Sequence, residues 1–222
     1  LDGLRDRLKK YYKLGARFTK WRAVYTISNL NPTSVAISSN AHALARYSAL
    51  VQENGMVPIV EPEVLMDGDH PADVCLSKTS DVIQKCFEEL ILHKVDLSGI
   101  ILKPNMILAG NKSKEKISSD EVSEKTLKCL KNSVPSEVPG IAFLSGGQSE
   151  IEATENLNSI NKNNNTNFII TYSYGRALQQ GALKLWSKNT NDIEGTQKIF
   201  NHRAKMCSLA AQGIWSSKLE NK

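Results

Sequence analysis

Apolar positions along the chain alternate between two patterns. One recurs at helical spacing; the other is a short continuous run of β-branched and aromatic residues. In residues 1–18, Leu4, Leu8, Tyr11 and Tyr12 fall on one helical face among Arg and Lys, and Gly15 marks a helix end. Residues 21–27 read as a strand. Pro32-Thr33 opens a helix that runs to about residue 54, where Gly55 closes it. Residues 56–60 are a second strand, with Pro58 inside it, and Asp67-Gly68-Asp69 is a turn. Residues 79–93 place Val82, Ile83, Cys86, Phe87 and Leu90 on one helical face. Strands follow at 99–102, 140–144 and 168–174. Between them lie helices at 118–131, capped near Ser119 and Asp120, and at 150–160, before a polar loop at 163–165. Two more helices, 176–186 and 193–212, close the chain.

Strand and helix thus alternate about five times. That order gives a parallel sheet covered by helices, and the uniformly apolar strands fit a sheet buried on both faces. A doubly wound sheet and a (β/α)₈ TIM barrel both satisfy it. No Gly-rich phosphate loop follows the first strand, which disfavours the nucleotide-binding version. Polar residues interrupt the apolar pattern at regular places: Lys20 and Arg22 at the first strand, Glu61 and Glu63 ending the second, Lys103 ending the third. Ser145, Gly146 and Gly147 end the fourth, and Gly175 and Arg176 the fifth. From 20 to 61 to 103 to 145 the intervals are 41, 42 and 42 residues, one strand–helix unit each. In a barrel, the carboxyl ends of the strands ring one mouth, where the active site lies. At that unit length the 222 residues hold about five of the eight units of a barrel. The expectation is one α/β barrel domain over 1–222, incomplete on its N-terminal side, since Leu1-Asp2-Gly3 leads into a helix with no strand before it.

Composition narrows the function. Lys and Arg exceed Asp and Glu by 28 to 23, and the surplus is spread out. A small, dispersed excess suits a phosphorylated metabolite better than a nucleic-acid groove. Cys75, Cys86, Cys129 and Cys207 form no CxxC pair, so they read as reduced thiols of a cytoplasmic protein. No run suits a membrane span and no signal peptide opens the chain. Sequons at Asn111 and Asn164 carry little weight without signs of secretion. His42, His70, His93 and His202 show no metal spacing and read as structural. Trp21, Trp186 and Trp215 read as core or interface residues.

The chemistry centres on Lys103, set between Ile100-Ile101-Leu102 and Pro104. One reading is a strand-end lysine that snorkels into water. The other is a desolvated amine, whose proton is lost more readily and which then attacks a carbonyl carbon. A second cation, Lys20, would reinforce that effect by repulsion. Of Glu61 and Glu63, one can shuttle protons while the other pairs with Lys20. Alternatively, these glutamates occupy a solvated loop, and Lys20 and Arg22 a solvent-facing strand start. The 144–149 turn offers backbone N–H groups and a hydroxyl at a helix N-terminus, and Arg176 adds a guanidinium one strand further on. Loops after the seventh and eighth strands of barrels commonly bind phosphate. If these are those loops, the missing strands are the first three.

At these residues the chain resembles class I fructose-1,6-bisphosphate aldolase. The resemblance rests on Lys20-Trp21-Arg22, Leu44-Ala45-Arg46-Tyr47, Val57-Pro58-Ile59-Val60-Glu61-Pro62-Glu63 and Leu102-Lys103-Pro104-Asn105-Met106. It extends through 143–149, 157–162 and Ser173-Tyr174-Gly175-Arg176-Ala177-Leu178. It implies a TIM-barrel lyase of glycolysis, usually a homotetramer, that uses a Schiff base and no metal or cofactor. The implied reaction is reversible cleavage of fructose 1,6-bisphosphate to dihydroxyacetone phosphate and glyceraldehyde 3-phosphate. By position, Lys103 would form the imine and Glu61 would be the main acid/base. Lys20 would stabilise charge, with Glu63 and Arg22 positioning it, and Ser145, Gly146, Gly175 and Arg176 would hold a phosphate. The family's first three strands, carrying a catalytic Asp and another Lys, and its C-terminal tail ending in Tyr are missing, and Ser98 stands where the family usually has Glu. Residues 1–222 alone are therefore expected to be inactive, and insoluble or molten because sheet edges are open. Another imine-forming barrel lyase, such as a transaldolase-like protein, and a scaffold binding actin or an adhesin tail are the alternatives.

Overall fold

A computed structural model describes residues 1–220. Helix α1 (Leu4–Lys13) precedes strand β1 (Phe18–Tyr25), α2 (Ser34–Glu53), β2 (Val57–Val64), α3 (Ala72–Leu92) and β3 (Ile101–Leu102). Then come α4 (Ser119–Ser133), β4 (Gly140–Phe143), α5 (Glu150–Lys162), β5 (Ile169–Tyr172), α6 (Arg176–Lys188) and α7 (Ile193–Ala211). The five strands form one parallel sheet in the order β1-β2-β3-β4-β5. Each strand lies beside its predecessor, so the sheet never reverses its direction of winding. That is the arc of a barrel and not the doubly wound alternative, whose strand order reverses at a switch point.

Local chemistry sets the helix starts. Thr33 caps α2, its hydroxyl accepting the Ala36 N–H at 3.1 Å. Helices α4 and α5 each open with a reciprocal capping box, Ser118 with Glu121 and Ser149 with Glu152. Helix α3 starts at Ala72, seven residues before the sequence pattern suggests. The expected turn at Asp67-Gly68-Asp69 and then Pro71 mask it. Pro71 in fact occupies the N-cap, where a missing N–H costs nothing, and Ala72, Cys75 and Thr79 continue the buried face.

The largest departure is β2, expected to stop at residue 60, which runs to Val64 in register with all of β1, from Phe18↔Val57 to Tyr25↔Val64. Strand β3 pairs only with Ile59 and Val60, and its last bond to β2 is Lys103 N–H to the Val60 carbonyl at 2.7 Å. Beyond that point, the β3-facing edge of β2 would expose N–H groups at 62 and 64. Pro62 has none, and the Val64 N–H donates to the Asn105 side chain at 2.9 Å. The strand therefore continues through Glu61-Pro62-Glu63 without a backbone partner on that edge.

Outward-facing side chains of the sheet, such as Val60, Leu102 and Ile141, pack on Leu44, Ala45, Val82, Ile83, Leu90, Leu127, Leu130, Leu157 and Ile160. A second cluster, Leu4, Leu8, Tyr47, Val51 and Met56, seats α1 against α2. The four cysteines are free and buried. Among the described residues, no helix is long and apolar enough to cross a membrane. The other face of the sheet carries Lys20, Arg22, Glu61 and Glu63. It also carries Phe18, Val57 and Ile169 at the strand starts, and these are exposed.

Candidate active site

Alternation along β1 sends Ala23 and Tyr25 into the helix layer and leaves Lys20 and Arg22 on the inner face. The parallel register sets Arg22 beside Glu61 and Val24 beside Glu63. Lys20 then reaches forward to Glu61, with Nζ 3.0 Å from Oε2. Arg22 reaches Glu63, with Nε 2.5 Å from Oε2. Both carboxylates are buried while both cations are nearly half-exposed. Hydrogen bonding to Glu63 raises the Arg22 pKa above its ordinary value. The two glutamates belong to the strand and its inner face, not to a solvated loop.

Lys103 follows the last residue of β3, and its side chain is only 11% exposed. Its Nζ lies 3.1 Å from Glu61 Oε1. Glu61 therefore stands between the two lysines, one oxygen to each. Oε2 has charge contact with Lys20 but no directed hydrogen bond. The division of labour expected from sequence shifts accordingly: Glu61, not Glu63, is the partner of Lys20, and Glu63 is committed to Arg22. The snorkelling alternative for Lys103 is set aside by its burial and by the direction of its amine.

Asn105 fixes this arrangement, and sequence reasoning assigned it no role. Buried, it accepts from Val64 N–H and donates to Thr79 Oγ1 and the Met106 carbonyl, both at 3.1 Å. It thus ties the loop that follows Lys103 to the strand that carries Glu61 and Glu63. Ser98 lies in a 3₁₀ turn before β3, hydrogen-bonded to Asp96. It sits at the opposite end of the strand from the site.

The β4 loop follows a different plan. Ser145 is buried, and Gly146 and Gly147 have φ of 59° and 101°. A Cβ on Gly147 would lie 3.2 Å from Met66 Sδ and 4.0 Å from an Arg176 nitrogen, so the two expected phosphate loops adjoin. Gln148 is buried beneath the turn, donating to the Ser145 carbonyl at 3.0 Å and accepting from Asn156 at 2.8 Å. The N-terminus of α5 is filled by its own capping box, so this loop offers its turn amides and not a helix end. The open helix end is that of α6, where Gly175 occupies the N-cap with no side-chain cap and Arg176 is exposed. Just before it, Tyr174 is buried, its hydroxyl donating to the Ala153 carbonyl at 2.9 Å, and burial pushes its pKa well above the ordinary value. That bond anchors the β5 loop to α5.

All nine expected site residues therefore lie on the inner face or at the carboxyl ends of the strands. Two lysines and two carboxylates stand on one side, two amide-rich turns and an arginine on the other. The first side can form and resolve an imine; the second can hold an anion.

Comparison with known proteins agrees with this geometry. The family model for class-I fructose-bisphosphate aldolase matches residues 1–222. The chain is 50% identical over 216 residues to a probable fructose-bisphosphate aldolase class 1 of Xanthomonas campestris, covering 97% of this chain and 65% of that protein. It is 49% identical to the cytosolic fructose-bisphosphate aldolase 4 of Arabidopsis thaliana, covering 96% of this chain and 54% of that one. Among solved structures it superposes on the fructose-bisphosphate aldolase of Plasmodium falciparum, in complex with TRAP and a small-molecule inhibitor. The TM-score is 0.95 at 43% identity, over 97% of this chain and 63% of that chain. The chain thus spans about two thirds or less of the length of these relatives.

Proposed function

The chain belongs to the class I fructose-bisphosphate aldolase family, and on that premise we propose that the protein cleaves fructose 1,6-bisphosphate through a Schiff base on Lys103. Lys103 Nζ adds to the C2 carbonyl and forms a carbinolamine. Glu61, 3.1 Å away, takes the ammonium proton and returns one to the departing hydroxyl, which leaves as water. The resulting iminium draws the electron pair of the C3–C4 bond as it breaks while the Glu61 carboxylate takes the C4 hydroxyl proton, so no metal is needed to stabilise the carbanion. Glyceraldehyde 3-phosphate departs, and the enamine is protonated and hydrolysed to dihydroxyacetone phosphate. Lys20 stabilises negative charge near the reacting hydroxyls, and Arg22 holds Glu63 in place. A phosphate is held by Ser145, Gly146, Gly175 and Arg176. The family's catalytic Asp and second Lys, and its tail Tyr, fall outside residues 1–222. The cytosolic names of plant relatives support a cytoplasmic location, and a homotetramer acting in glycolysis is part of the same proposal.

The contact between a buried amine and a buried carboxylate is the observation that carries this reading. Borohydride reduction with dihydroxyacetone phosphate tests it. The expected product is an irreversible adduct on the peptide containing Lys103, absent from Lys103→Met. A missing adduct, or one on another residue, refutes it.

A second role is favoured by the TRAP complex of the Plasmodium falciparum relative: binding of a protein partner at the mouth. Salt-sensitive partner binding retained by Lys103→Met would establish it as separable from catalysis.

A further inference from the structure

Outside the mouth, the chain folds three metal-ligating side chains onto one point. His42 lies on α2, Glu89 on the last turns of α3, and His93 is the C-cap of α3. One ligand atom from each lies within 4.8 Å of the others. We propose that His42, Glu89 and His93 form a site for a divalent transition ion of the zinc class, clasping α2 to α3.

Ligand spacing is the first support. Zinc–nitrogen and zinc–oxygen bonds of about 2.0–2.2 Å place neighbouring ligands of a tetrahedral ion about 3.3 Å apart. Glu89 Oε2 is 3.1 Å from His42 Nδ1, close to that spacing, and a ring nitrogen of His93 lies within 4.8 Å of both ligand atoms. The two imidazoles meet edge to face, with centroids 4.8 Å apart and planes at 73°. The two rings are thus in direct contact across the α2–α3 seam.

Outer contacts are the second support. The Nδ1–H of His93 can donate to the Glu89 carbonyl at 2.8 Å, leaving the lone pair of Nε2 for a metal. A backbone carbonyl on the far nitrogen is the usual brace of a metal-bound histidine. Glu89 Oε1 is 3.6 Å from Lys85, whose closer partner is Glu88 at 3.0 Å, so Glu89 is not committed to that lysine. Three donors, with the His42 side chain half-exposed, leave a fourth position to water. Two imidazoles and one carboxylate select zinc, cobalt or nickel over magnesium or calcium, which take oxygen. The cluster lies at the end of α3 that leads into the start of β3, opposite the carboxyl ends that carry Lys103. An ion here would act on the helix layer and take no part in the imine chemistry.

The bland alternative is a surface ion pair between Glu89 and two histidines. Cobalt(II) titration of the chelator-treated protein separates the two, with zinc titration by calorimetry beside it. The proposal expects one ion per chain, visible d–d bands without thiolate charge transfer, and a melting temperature raised by zinc but not by magnesium. His42→Ala and Glu89→Gln should each weaken binding at least about tenfold, and His42→Ala/His93→Ala should abolish it. The double variant should keep its far-ultraviolet dichroism without metal, because the His42 side chain is half-exposed. Uptake no greater than that of the double variant, or a thiolate band, overturns the site. Repeating the titration on Lys103→Met keeps this result independent of the catalytic reading.

Discussion

On the β1–β2–β3 side of the mouth, side chains make the contacts that matter. On the β4–β5 side, backbone amides and a single guanidinium replace them. Buried Glu61 is paired with both Lys103 and the half-exposed Lys20, because a lone charge in a dry site costs several kcal/mol. The Ser145–Gly147 turn and the α6 N-terminus need only a backbone that leaves N–H groups pointing outward. On the first side the paired eight-residue strands β1 and β2 carry Lys20, Arg22, Glu61 and Glu63, and Lys103 follows the short β3; on the second side the polar groups belong to loops.

Three changes should break or sharpen this contrast. The largest effect is expected from Glu61→Gln, which keeps the shape but removes the shared acid/base. The catalytic rate should fall about 10²–10⁴-fold with little change in KM, and single-turnover kinetics would read the loss at imine formation. A fall confined to KM would place Glu61 on the holding side instead. Arg176→Ala comes next. A charged hydrogen bond to phosphate is worth about 1.5–3 kcal/mol, so kcat/KM should drop roughly 10–100-fold, mostly through KM. The salt dependence of kcat/KM should flatten too, and an equal loss in kcat would blur the division proposed here. The smallest effect concerns His70, in the loop that follows β2. It is buried with neither ring nitrogen bonded, and burial lowers its pKa below the ordinary 6.5. The unfolded chain then binds a proton at a higher pH than the folded one. Stability should hold above about pH 6.5 and fall as pH drops below it. Denaturant midpoints from pH 8 to 5 should show that slope, reduced in His70→Asn; an unchanged slope would exempt His70.

The same contrast governs what could be read from the residues alone. Lys103 and Lys20 were legible because a cation beside an apolar run is conspicuous, and their spacing repeated at the interval of a strand–helix unit. The glycine turns were legible as turns, but not that α5 caps itself while α6 stays open, since Ser149 and Glu152 could serve either the helix or a ligand. Glu61 and Glu63 read as the end of the second strand because the continuous apolar run at 56–60 stops there. Only Asn105, 41 residues from Val64, lets the strand continue. That His42 and His93 meet is hidden in the sequence, because their separation does not show the packing of α2 on α3.

The strict pairing of β1 with β2 has one more consequence. Side chains alternate across a strand, so a slip of one residue would turn Glu61 and Glu63 outward and bring Val60, Pro62 and Val64 inward. Two carboxylates would then lie beneath α2 and α3 without a cation, a penalty far larger than any single backbone bond. The charges proposed to perform the reaction would thereby also proofread strand alignment as the chain folds. Neutralising both could yield a misthreaded sheet before it yields a merely slow enzyme.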